Sequence, residues 1–135
     1  MNKTLKYTLM HSIQMIDHDF MCLELSIGEA TDLQMRSLDT LSISIDKLRS
    51  TIHVLPISTN PVCSMVRHDI YNHLTVIGGF AQVLMHKRAG YLAPDTIMYL
   101  NKIIETSKQI EAALQAEKAA NALTDLPMGV IVSRL

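Results

Sequence analysis

Apolar residues recur along this chain at alternating steps of three and four, and that period marks out its helices. Leu9, Ile13, Ile16, Phe20, Leu23, Ile27 and Ala30 form one seam, and Leu38, Leu41, Ile45, Leu48 and Ile52 form a second. The two runs are out of register by one residue, with Gly28 near the junction. The pattern therefore fits either one long helix with a stutter or two helices with a turn near residues 28–32, and Thr31 or Asp32 as an N-cap favours two. Farther along, Ile70, Leu74, Ile77, Ala81 and Leu84 repeat the period, as do Leu100, Ile103, Ser107, Ile110 and Leu114. The link between those two runs, residues 89–95, is short enough to predict an antiparallel hairpin, with Asp95 as the N-cap of its second helix.

Punctuation divides the chain. Pro56 and Pro61 bracket the polar stretch Ile57-Ser58-Thr59-Asn60, and Pro127 and Gly129 mark a later break. The segments that result are an N-terminal helical segment at 1–55, a hairpin segment at 62–120 and a tail at 121–135. Only Val130-Ile131-Val132, in the tail, carries a strand signal. A two-helix hairpin cannot close a core alone, so an all-α four-helix bundle is expected. The methionines, among them Met10, Met15, Met21 and Met35, are expected to fill gaps in that core.

Composition narrows the classes. The chain has 135 residues, 48% hydrophobic and 19% charged, which suits one ordinary folded domain. Twelve Lys and Arg against thirteen Asp and Glu leave a formal charge of −1, so no basic excess exists to bind nucleic acid. Cys22 and Cys63 lie far apart, with neither a disulfide framework nor metal-ligand spacing around them. No apolar run approaches the ~20 residues that cross a bilayer, and residues 1–10 lack a signal-peptide core, so the expectation is cytoplasmic and off the membrane.

The chemistry concentrates in Arg67-His68-Asp69-Ile70-Tyr71-Asn72-His73-Leu74-Thr75-Val76-Ile77. On a helix at roughly 100° per residue, Leu74, Ile77 and Ala81 share a stripe with Ile70, while His68, Asn72, Thr75 and Gly79 fall on the opposite side. One face is buried and the other presents an imidazole beside a carboxylate. A neutral imidazole offers a ring lone pair for attack on phosphorus, and Asp69 is placed to hold the other N–H or accept a proton. Gly78 and Gly79 each cost about 1 kcal/mol of helix propensity, which points to close approach of another backbone. His18-Asp19 is a second such pair, but the Asn and Leu-Thr positions do not follow it.

His68, Asp69, Asn72, Leu74, Thr75 and Ile77 resemble the H-box of the dimerization and histidine phosphotransfer domain of two-component sensor histidine kinases. The resemblance covers residues 62–118 and is specific in the first helix, generic in the second. It implies that His68 is the phosphoacceptor, with Asp69 as its acid/base neighbour, Asn72 orienting a water for dephosphorylation and Thr75 in a lesser part. It also implies a response-regulator receiver domain or a sensor kinase as partner, contacted through Arg67, Tyr71 and Gly79. No cofactor is expected on this chain, and Mg²⁺ would come with the receiver. Where the family often has Pro after the Asn, this chain has His73, so a proline bend is not carried over. Nothing after residue 118 resembles an ATP-binding domain, so autophosphorylation is not expected, and the chain is similar to stand-alone sporulation-type phosphotransferases.

The resemblance favours a homodimer in which two hairpins make the central bundle. The competing arrangement has the N-terminal seams of the same chain complete a monomeric bundle. Two other readings stand beside phosphotransfer: a non-catalytic module that mimics a kinase dimerization domain, and a fragment of a longer sensor kinase.

Overall fold

Thr31 makes the first two seams into two helices, α1 (Asn2–Ser26) and α2 (Asp32–His53). Its extended backbone stops the helical ladder, and its hydroxyl accepts from the Gln34 N–H at 3.1 Å while the Gln34 carboxamide accepts from the Thr31 N–H at 2.9 Å. Gly28, at φ +64, turns the chain between them. A third helix, α3 (Ser64–Met85), and a fourth, α4 (Pro94–Thr124), follow, joined by a short 3-10 turn at Lys87–Ala89. The computed structural model describes residues 2–56 and 62–124, and no strand occurs among them. The polar break at 57–60 and the tail signals at Pro127, Gly129 and Val130-Ile131-Val132 lie outside the described residues.

Successive helices run antiparallel around one core. α1 packs on α2 and α4, and α3 packs on α2 and α4. Leu9, Ile13, Ile16, Phe20 and Leu23 of α1 are buried, with Leu41, Ile45, Leu48 and Ile52 of α2. Every member of the α3 seam and every member of the α4 seam, Ser107 included, is buried as well. The hairpin seam that a second copy was expected to close is therefore closed by α1 and α2 of the same chain. This is the competing arrangement named above; closing a dimer through that seam would require α1 and α2 to leave it.

Polar side chains tie the ends of the bundle. At one end Thr31 Oγ1 donates to the Ala89 carbonyl at 2.6 Å and Gln34 Nε2 donates to the Tyr91 carbonyl at 3.2 Å, so the two interhelical loops are fastened together. Gly90 sits in that junction at φ +135, and a Cβ there would come within 2.7 Å of Gln34 Nε2, so glycine is required. Ser26 Oγ and Thr96 Oγ1 meet at 2.8 Å nearby. At the other end Lys6 Nζ donates to the carbonyls of His53 and Leu55, satisfying the exposed end of α2. Arg49 bridges Asp17 on α1 and Asp46 on its own helix.

Two expectations are corrected. Pro94 opens α4 and Asp95 lies within its first turn, because proline lacks the N–H that the first turn leaves unused. Met15, Met21 and Met35 are surface residues, 40%, 54% and 55% exposed, since leucine and isoleucine fill the seams without them. Among the described residues, no helix is long and apolar enough to cross a membrane.

Candidate functional site

α3 carries the site near its N-terminal end. His68 and Asn72 are exposed one turn apart, while Ile70, Leu74 and Ile77 pin the opposite side of the helix to the core. The Asn72 Nδ2 atom lies 3.3 Å from His68 Nδ1. Asp69, expected to hold the ring, has no hydrogen bond to it among the described residues. Its charge acts instead on His73. Burial lowers the His73 pKa below the ordinary imidazole value, Lys47 of α2 adds to that effect and Asp69 opposes it. His73 is thus a half-buried packing residue, on the flank where the helical wheel placed it.

Thr75 is exposed and its Oγ1 donates back to the Tyr71 carbonyl at 2.9 Å. Tyr71 and Thr75 line one wall of a groove between α3 and α4, with Glu111, Gln115 and Lys118 as the other wall. The groove has a volume of about 260 Å³. Its α4 wall escaped the sequence reading. The signal was present in Glu111, Gln115 and Lys118, a polar stripe at helical spacing beside the buried Ile110 and Leu114.

Arg67, expected to contact a partner, is turned into the bundle. It is 9% exposed and its guanidinium donates to Glu117 Oε1 at 2.9 Å, while Glu117 Oε2 accepts from the Val62 N–H at 3.4 Å. Arg67 faces α4 because it precedes His68 by one helical step, which turns it inward. Lys87 and Arg88 are exposed but lie beyond the C-terminal end of α3, itself about 25 Å along the helix from His68, so they form no joint basic patch with it.

Gly79 is exposed and Gly78 half-buried, but a Cβ at either would meet nothing within 4 Å. Among the described residues, no backbone makes the close approach expected there. Gly78→Ala and Gly79→Ala are each expected to raise stability by ~0.5–1 kcal/mol, read by thermal melting. A lowered melting temperature would contradict the open surface.

The second His-Asp pair is built differently. His18 Nδ1 is 3.5 Å from Asp19 Oδ1, and Cys22 Sγ is 3.8 Å from His18 Nε2. This cluster borders a cavity of about 450 Å³ between α1 and α4, walled on the α4 side by Lys102, Glu105 and Thr106. It is larger than the groove beside His68, but it lies on the other side of α4 from that histidine. Among the described residues, no group of three or more His, Cys, Asp or Glu side chains is arranged to hold a metal ion.

No protein-family model, curated protein or solved structure matches the chain.

Proposed function

We propose that the chain is a histidine phosphotransfer protein in which His68 accepts a phosphoryl group from a receiver aspartate and returns it to one. The observation that carries this reading is the exposure of the His68 ring beside Asn72, on a helix whose opposite face is locked into the core. A phosphoacceptor has to be reached by a second protein's active site, and a rigid helix holds it at a fixed height for that approach. The neighbouring groove, from Tyr71 and Thr75 to Lys118, supplies a contact surface for the receiver. The phosphoryl group and the Mg²⁺ that neutralises it would both arrive with that partner.

The test is incubation with phosphorylated receiver domains. Wild type is expected to take up label and His68→Gln to take up none, because glutamine keeps the polarity and removes the nucleophile. Equal labelling of both would remove His68 from the mechanism.

The α3/α4 groove favours one second reading, a regulatory module that binds a receiver or kinase without carrying phosphate, since a docking groove has use without chemistry. In that case neither protein is labelled, and His68→Gln keeps the partner affinity of wild type.

A further inference from the structure

His18, Asp19 and Cys22 on α1 form a cluster that phosphotransfer through His68 does not use. The His18 ring meets its two neighbours with different nitrogens: Nδ1 is 3.5 Å from Asp19 Oδ1, and Nε2 is 3.8 Å from Cys22 Sγ. An ionised carboxylate only accepts, so Asp19 places the ring N–H at Nδ1 and leaves the Nε2 lone pair toward the thiol. Asp19 is 6% exposed and the His18 side chain 67% exposed, so the anchor is fixed in the bundle while the base is open to solvent. Across the interface between α1 and α4, Cys22 also meets the Tyr99 hydroxyl. The Tyr99 pKa is raised by the charge of Cys22 and by a hydrogen bond with it, and Asp95 and Asp19 add to the effect. The hydroxyl therefore keeps its proton beside the sulfur and donates to it once the thiol is ionised.

A base, a carboxylate that orients it and a hydroxyl donor around one sulfur are the parts of an activated thiol. The cleft beside them gives that thiol a ligand to act on. Its volume of about 450 Å³ suits a small molecule, and His18 and Asp19 form part of its α1 wall. The α4 wall sets a cation, Lys102, one turn from an anion, Glu105. A ligand with both a carboxylate and an ammonium group matches that wall. We propose that Cys22 is a nucleophilic thiol, activated by His18, that takes up an amino-acid-derived disulfide as a mixed disulfide. This site stands apart from phosphotransfer and needs nothing from His68. His18 Nε2 takes the proton from Sγ, the thiolate attacks one sulfur of the ligand, and a new S–S bond forms. The ligand's own S–S bond breaks with its electron pair leaving on the second sulfur, which takes the proton from His18 and departs as a thiol. One disulfide is consumed and one is made, so no other oxidant enters. Asp19 acts through His18 and is a positioning residue.

Cys63 is exposed and its side chain makes no capping hydrogen bond, so the full chain with Cys63→Ser keeps Cys22 as its one thiol and is the background for the test. Mass spectrometry follows the mixed disulfide over time, first with uncharged hydroxyethyl disulfide. At neutral pH, His18→Gln is expected to react about tenfold more slowly than its parent, for want of thiolate. At a pH of about 10, where a thiol ionises without help, the two are expected to react alike. Equal rates at neutral pH, or the same deficit at both, overturn activation by His18. Cystine at neutral pH is the second probe. Its rate relative to hydroxyethyl disulfide is expected to fall about fivefold when Lys102→Met and Glu105→Gln are introduced together. An unchanged ratio overturns the assignment of the ligand.

Discussion

Ile77→Glu is expected to leave the chain without a folded bundle in water at room temperature. Ile77 is fully buried on α3, within a core that includes Ile70 and Leu74 on the same helix. The substitution removes the apolar contribution of a buried isoleucine, ~2–5 kcal/mol, and places a carboxylate in the hydrophobic core, which costs several more. A domain of this size has about 5–15 kcal/mol in total. Far-UV circular dichroism with a urea titration measures the outcome, and a cooperative transition near the wild-type midpoint would show that the α3 seam is placed wrongly. Leu84→Glu, also fully buried, is expected to behave the same way. Thr75→Glu on the exposed side of the same helix is the matched control and should shift stability by less than about 0.5 kcal/mol.

Glu117→Ala is expected to be the most costly single change among the polar residues, at about 3–5 kcal/mol. The side chains of Arg67 and Glu117 are only 11% and 9% exposed, and Arg67 Nε has no hydrogen-bond partner among the described residues, so the guanidinium depends on this carboxylate. Removing the carboxylate leaves a buried charge without compensation. Replacing both residues together, Arg67→Met with Glu117→Leu, should cost far less than either single truncation and can be neutral, because both desolvation penalties disappear. Denaturant midpoints for the four proteins of this cycle give the coupling. A Glu117→Ala variant as stable as wild type would mean that the pair is solvated.

The helices were legible because four separate runs keep a three-four period, and leucine or isoleucine holds nearly every seam position. What the period could not say is which seam covers which. The seams of α1 and α2 and those of α3 and α4 are chemically alike, so the dimer and the single-chain bundle satisfy the same pattern. The exposed face of α3 was equally legible, since Ile70, Leu74 and Ile77 fix its rotation and leave His68 and Asn72 outside. The burial of Arg67 was not legible, because its partner Glu117 lies 50 residues away and nothing next to Arg67 signals it. The partner of the imidazole was also missed: adjacency in sequence suggested Asp69, but on a helix the neighbour in space is four residues on, at Asn72. Gly78 and Gly79 show the same limit, for a glycine pair in a helix signals an approach without saying from where.

Three of the main helix-helix interfaces among the described residues join consecutive helices, whereas the contact between α1 and α4 joins elements from opposite ends of the sequence. Consecutive pairs form over short loops and can appear early, as in other helical bundles that fold in microseconds to milliseconds. Docking α1 on α4 closes a loop that is already 70 residues long at its near end, Ser26 to Thr96, and belongs late on the pathway. Packing gained after the rate-limiting barrier slows the return journey without hastening the outward one. The buried residues of α1 therefore govern how long a native molecule survives, and the α2–α3 interface how quickly one is made.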